Sequence, residues 1–575
     1  LTAEADELNI PIYEAKVRLA RAYVLEKLAR AAEMAAIARE AREHLLAGRP
    51  ASLSSFSEGF ERRDFLDTYR REMEAAVMSQ NLEEVNAICE TVIHDFEKIR
   101  YNVRDPYRSA SLLVYLADFY DRRIVTAFRL QRWDDLLETI ELFKARSVIR
   151  QRGESGGEKQ AESAEIKRLQ AEFEQLSREQ ANDSDVAQKR RRLWDLLAVL
   201  RRGESTNAMP EFSLKTLQKA LRADEALVGY FWLSDAVFLS ICIDRERFEV
   251  ERVILTDDQL SSWRELFTFI QTLRTAAGRN FERAIQSAGK YFLTPKIREF
   301  IREKERVVFS PHRGLHLFPF HAVRWNETEY FGARFAIRYV PNFSSVILPW
   351  IQRHESRFFG VAIEQFADPA IPPLSEVESD LRKIADEYSV AKTEVQMLMG
   401  RQSTRAEFIA WKTRPELCQA RCVHFGTHGV SVLNLPDEPL EARILLQDGW
   451  LDCMDIAQLS LTAEVVVLSA CESGQQSVDL RKMATGGGVP GDEMFGLQAA
   501  FFQAGTRCVL GSLWLVETES SSKLIRLFHE RFAKGSDVEI ALRDAVRTYL
   551  ADSTSDPGVF YWAPYFLSCL GAANQ

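Results

Sequence analysis

The sequence predicts an α + α/β chain, a helical N-terminal region followed by an α/β domain in two halves, and three observations carry that reading. From Glu4 to about Leu200, apolar residues recur at three and four spacing and glycine and proline are sparse, as in packed helices. After Ser205 short apolar runs alternate with helical stretches, as in a sheet covered by helices on both faces. A length of 575 residues also exceeds what one core holds, so several domains are expected. The changes of texture set the boundaries at 1–204, 205–350 and 351–575.

Within the helical region a weak repeat is visible. EKLARAA (26–32), QNLEEVN (80–86) and QRWDDLL (131–137) each follow a helical run, at separations of 54 and 51 residues. A tetratricopeptide unit repeats at about 34, so the spacing predicts degenerate helical hairpins stacked as a solenoid. The polar stretch RQRGESGGEKQAESAE (150–165) reads as a flexible break. The basic run KRRRLWDLLAVLRR (189–202) is flanked by acids and sits on helical spacing, which makes it a solvated helix face rather than a nucleic-acid patch.

The α/β part opens with strands at 226–233, 236–243 and 247–255, a long helical stretch to about Lys304 and a strand at 306–311. Further strands are expected at 358–363, 395–399, 421–429, 443–449, 464–471, 507–514 and 560–569, with helices between them. Their two-sided apolar character predicts a parallel sheet, and the two successive α/β sets suggest duplication of one architecture.

Composition narrows the function. With 46% hydrophobic and 27% charged residues the chain has an ordinary globular makeup, and a net charge of −10 offers no basic field for nucleic acid or anionic membrane. No apolar run approaches a membrane span, and LTAEADELNI lacks the features of a signal peptide. Starting at Leu1, the chain reads as a fragment or a processed form. Eight scattered cysteines without a CxxC argue against a disulfide framework and for a reducing, cytoplasmic setting.

Two of the expected strands end in groups that can do chemistry. VHFGT runs into His428-Gly429, and VVVLSA runs into Cys471-Glu472-Ser473-Gly474. In open α/β sheets reactive groups gather outside the carboxyl ends of strands. If these strands are neighbours, an imidazole and a thiol share one crest. The imidazole then takes the thiol proton and later protonates the leaving amine, with the amides of Gly429 and Cys471 as oxyanion donors. The loop 473–493, with its glycines and no periodicity, suits a substrate gate. Cys418, Cys422, His424 and His428 could be read as a zinc site, but their spacing fits no familiar zinc pattern, so no metal is expected. No GxGxxG or GxxxxGK[ST] fingerprint occurs and no cofactor is expected, which leaves a small-molecule hydrolase the weaker reading.

HFGTHG, VVLSACESG, GLQAAFFQAGTRCVLGSLW (496–514) and FYWAPYFLSCLG (560–571) together resemble a CHAT domain, the caspase-like, separase-related peptidase module found with tetratricopeptide repeats. VVFSPHRGLHLFPFHAVRW (307–325) and IRYVPNFSSVILPW (337–350) are similar to its non-catalytic first half, and the helices of 119–149 to the repeats before it. The resemblance implies a clan CD cysteine endopeptidase acting on a protein substrate, with His428 and Cys471 as its dyad and a catalytic second half. It leaves His312, His316 and His321 as structural residues. WLVETE (514–519) marks the expected substrate pocket, where Thr518 stands in the place of an acid between Glu517 and Glu519. Preference for a basic P1 residue is thereby in doubt.

The expected partner, bound by the repeats, is a regulatory protein or ribonucleoprotein. In some relatives it is an RNA-guided CRISPR effector. Neither membrane nor sequence-specific DNA binding is expected. Self-cleavage near Arg481-Lys482 is a further expectation to test, and a catalytically silent scaffold that mediates protein–protein interactions is the alternative function.

Overall fold

The computed structural model describes residues 11–56, 59–102, 116–144, 212–272, 278–348, 355–430, 442–469, 496–514 and 518–571, with isolated positions between them. Two compact units, Leu1–Phe143 and Lys144–Gln575, are taken in turn.

Among the described residues, the first unit is built of helical hairpins: Pro11–Lys27 with Ala31–Leu46, Gly59–Met78 with Leu82–Asn102, and Ala117–Leu130 with Trp133–Phe143. All three turns close alike. Ala29, Gln80 and Gln131 take positive φ, and the next amide bonds back five residues, Arg30 to Leu25, Asn81 to Ala76 and Arg132 to Ala127. This is the left-handed helix stop with its six-to-one bond. The repeat seen in the sequence is therefore a repeated turn, and its true period is 51 residues at both steps, from Ala29 to Gln80 to Gln131. By that period the stretch equivalent to 80–86 and 131–137 is 29–35, so the expected motif at 26–32 lies three residues early.

The second unit holds fourteen described strands. In chain order they are β1 (Glu225–Trp232), β2 (Val237–Ile243), β3 (Phe248–Ile254), β4 (Arg306–Ser310), β5 (Ala336–Tyr339), β6 (Glu355–Ala362), β7 (Glu394–Met399), β8 (Ala420–Gly426), β9 (Gly429–Val430), β10 (Arg443–Leu445), β11 (Trp450–Asp452), β12 (Val465–Ser469), β13 (Cys508–Ser512) and β14 (Tyr565–Cys569). Eleven form one sheet in the order β3-β2-β1-β4-β5-β14-β13-β12-β8-β6-β7, and β9, β10 and β11 form a small second sheet. The expected parallel sheet is instead mixed, since β1 to β3 are an antiparallel meander and β14 runs antiparallel to β13. Tight connections between β1, β2 and β3 leave no room for crossovers and force that reversal. The segment expected as a strand over 560–569 divides into the helical turn Val559–Trp562 and β14.

The sheet is packed on both faces. Along β8, Cys422 faces one core, with Phe358, Tyr388 and Phe528, whereas Val423 and Phe425 face the other, with Phe408, Ile456 and Phe501. Alternation with period two over a two-sided core is what makes the strand apolar throughout.

At the opposite end of the strands from the crest, a buried ladder of charges crosses the sheet. Arg338 pairs with Glu225 at 2.9 Å and Glu539 at 3.9 Å, Arg507 with Glu539 at 2.9 Å and Glu464 at 3.6 Å, and Arg421 with Glu464 at 2.8 Å. Burial alone would raise the Glu539 carboxyl, but Arg507 and Arg338 hold it at about 2. Beside it, Cys508 and Cys569 are paired across β13 and β14 as a disulfide, with Cα atoms 4.1 Å apart. This pair departs from the expectation of no disulfide framework, because partners 61 residues apart carry no local signature. Among the described residues, no helix is long and apolar enough to cross a membrane.

Candidate functional site

β8 lies between β12 and β6 and is parallel to both. Its register with β12 runs from Cys422 opposite Val465 to Gly426 opposite Ser469. Both strands point their carboxyl ends to one crest. His428 follows Gly426 by two residues. Cys471 follows Ser469 by two and lies outside the described residues, as do the loop 473–493 and the Arg481-Lys482 pair.

The chain beyond β8 is fastened by the small sheet. The Thr427 hydroxyl donates to the Leu445 carbonyl at 2.7 Å, and the Leu445 amide donates to the His428 carbonyl at 2.9 Å. That second bond makes 428–445 the hydrogen-bonded pair of the antiparallel ladder and Gly429–Ile444 the non-bonded pair. The Gly429 N–H is therefore turned away from β10.

The half-buried imidazole of His428 is held from the other side by the loop between β6 and the helix Val377–Val390. Its Nε2 lies 2.8 Å from the Pro372 carbonyl, and its ring lies 5.1 Å from that of Phe366. A carbonyl oxygen only accepts, so Nε2 carries the hydrogen and Nδ1 is the basic nitrogen of the neutral ring. The loop is itself anchored, by Ala367 N to Gln447 O at 2.8 Å and Leu374 N to Glu364 O at 3.0 Å. Sequence reasoning missed Pro372 and Phe366. A backbone acceptor has no side-chain signature, and no periodic pattern brings residue 372 to residue 428.

The segment expected to form the substrate pocket is described in part. Trp514 is buried, its indole donating to the Phe560 carbonyl at 3.1 Å. Thr518 opens the helix Thr518–Ala533, and Glu519 is exposed in its first turn, while Glu517 lies outside the described residues.

The residues considered for zinc turn to different neighbours. The Cys418 thiol donates to the Lys412 carbonyl at 2.7 Å, Cys422 is buried beside Tyr388, and His424 bonds His529. Burial pushes the Cys422 thiol up to about 12, as suits an inert packing residue. His312 accepts the Trp232 amide hydrogen at 2.8 Å, and His321 is held between the Tyr339 hydroxyl at 3.0 Å and the Ala563 carbonyl at 2.8 Å.

The family model described as "CHAT domain" matches residues 282–572, just over half of the chain. Among curated proteins, tetratricopeptide repeat protein 28 of Homo sapiens is 26% identical over 26% of this chain, a match that spans only 7% of that protein. Among solved structures, the separase–securin complex of Saccharomyces cerevisiae is similar over 97% of this chain and 53% of that one, at 11% identity and a TM-score of 0.42. The Arg specific cysteine proteinase gingipain R of Porphyromonas gingivalis is similar over 53% of this chain and 69% of that one, at 10% identity and a TM-score of 0.34.

Proposed function

Because this chain belongs to the CHAT domain family, we propose that it is a cysteine endopeptidase whose dyad is His428 and Cys471. The observation that carries the reading is strand register. Ser469 and Gly426 are paired neighbours 43 residues apart in sequence, and the same 43 separates Cys471 from His428. That register supports a dyad in which both groups follow the tips of adjacent parallel strands.

The chemistry follows from the partners on the page. With Nε2 committed to Pro372, Nδ1 of His428 takes the thiol proton, because the thiolate is the attacking species. The thiolate adds to the scissile carbonyl, and the oxyanion is met by the amide hydrogens of Gly429 and Cys471. The imidazolium then protonates the departing amine, and water, deprotonated by the same nitrogen, releases the acyl group. The segment 517–519 is the P1 wall. With Thr518 at its centre, it accepts a neutral residue as readily as a basic one. The helical hairpins take a regulatory protein or ribonucleoprotein that releases the 473–493 gate.

The test is a map of new protein N-termini in lysate treated with the wild-type chain or with Cys471→Ala, with and without candidate activators. Cleavages present only with the wild type support the reading and give the P1 preference. Identical maps under every condition would leave the catalytically silent scaffold as the function.

A further inference from the structure

Beneath the crest, three buried side chains from three elements are joined in one line. Nδ1 of His424, in β8, lies 3.0 Å from Nε2 of His529, in the helix Thr518–Ala533. Nδ1 of His529 lies 2.9 Å from the hydroxyl of Tyr388, in the helix Val377–Val390. Each of the three is at most 3% exposed. Nearer the crest the Ser522 hydroxyl donates to the Asp380 carboxylate, a second tie between the same two helices.

Each of these elements delivers one part of the proposed site. β8 runs into His428 and Gly429. The helix with Tyr388 is entered from the loop that carries Phe366 and Pro372, and the helix with His529 from the segment 517–519. The His424 ring lies directly below the strand tip, since a Cβ built on Gly426 would stand 3.6 Å from its Nε2 and 2.6 Å from Val377 Cγ1.

Filling this space does not by itself call for polar groups. Two imidazoles and a phenol give up their water on burial, and only their bonds to one another offset that. Those bonds form at one spacing and one orientation, whereas apolar contacts tolerate sliding. Burial also keeps both rings neutral, with His424 at about 4 despite the nearby Asp380, and His529 held well below its ordinary value by burial and by His424. One hydrogen is then shared between their facing nitrogens. Cys422, beside Tyr388, and Arg421 and Glu464, farther off, complete the ionisable surroundings.

We propose that His424, His529 and Tyr388 are positioning residues of the proposed peptidase, a hydrogen-bonded line that fixes the strand tip bearing His428 and Gly429 against the Pro372 loop and the P1 segment. The inference rests on the peptidase reading for its purpose, while its geometry can be tested apart from it.

The experiment compares wild type, Tyr388→Phe, His529→Leu and His529→Gln by two readouts, at temperatures well below the measured Tm of each. The first is the rate at which iodoacetamide alkylates Cys471, followed by mass spectrometry from pH 5 to 9. The second is amide hydrogen exchange across Phe425–Gly429. Tyr388→Phe and His529→Leu are expected to slow alkylation at pH 7 at least tenfold, to move its pH profile up toward that of an ordinary thiol, and to speed exchange at least tenfold. His529→Gln, which keeps a donor and an acceptor, is expected to recover part of both. Folded variants with the wild-type alkylation profile and wild-type exchange overturn the proposal. If Cys471 of the wild type reacts no faster than a thiol of the unfolded chain, the peptidase reading is what fails. Exchange then decides alone, with faster exchange in the variants upholding the positioning line and unchanged exchange sinking it.

Discussion

The Nε2 hydrogen of His428 is given to the main-chain oxygen of Pro372, 2.8 Å away, and the ring is flanked by Phe366. The acceptor is part of the backbone and survives any side-chain exchange, but the ring that packs the imidazole does not. Phe366→Ala is therefore expected to lower kcat about tenfold on a peptide taken from the cleavage map, with KM within about twofold, since a misplaced base affects the transition state more than binding. His428→Ala should lose at least about a hundredfold, because it removes the proposed general base. Steady-state kinetics of the two variants checks the order, and equal losses would contradict the separate roles.

Thr427 ties the crest to the small sheet through its 2.7 Å bond to the Leu445 carbonyl, and it is 2% exposed. Thr427→Val keeps the shape of the side chain and strands a buried acceptor, so a stability loss of about 1–3 kcal/mol is expected in urea unfolding. A loss under about 0.5 kcal/mol would mean that water or another donor meets the Leu445 oxygen in solution.

The strands of the sheet, β8 and β12 among them, were legible because period-two alternation and a two-sided core leave a continuous apolar run, as in Val465–Leu468. β5 was not read as a strand. It has only four residues, one of them Arg338, whose charge is buried against Glu225, so the apolar run is too short and too broken to read as a strand. The mixed direction of the sheet was also hidden, since antiparallel and parallel strands buried on both faces have the same composition. At the crest, His428 and Gly429 could be read as groups of a known chemistry at a strand end. Pro372 could not, because a main-chain oxygen 56 positions away enters only through the loop's path. The line through His424, His529 and Tyr388 was hidden for the same reason, with His424 and His529 separated by 105 residues.

Acid should weaken the fold in two stages. Burial lowers His424 and His321 to about 4 and His529 well below its ordinary value, so between pH 6.5 and about 4 the unfolded chain takes up protons that the folded chain refuses. Stability in that window falls with pH by about 1.4 kcal/mol per unit for each such histidine. Glu539, held at about 2, acts lower down, and its contribution, present above about pH 4.5, is lost as pH drops toward 2. His321→Gln is expected to reduce the upper slope by about one histidine's share. Unfolding midpoints measured from pH 7 to 4 check this, and an unchanged slope in the variant would show that His321 is protonated in the folded state.

The last prediction concerns the charge ladder. Arg338 is 2% exposed and reaches Glu225, Glu539 and the Gly571 carbonyl, at 3.1 Å for the last. Replacing it with methionine keeps the volume but leaves two buried carboxylates with one cation fewer between them. Breaking one member of a buried ion set costs about 3–5 kcal/mol, far more than the set contributes relative to an apolar replacement. Arg338→Met should lose that much in denaturant unfolding, and Arg338→Met combined with Glu225→Gln should regain part of it, because the second change removes an orphaned charge. Losses that simply add in the double variant would mean that Arg338 and Glu225 do not depend on each other, and that β1, β4 and β5 are held together by their backbone ladders and apolar faces alone.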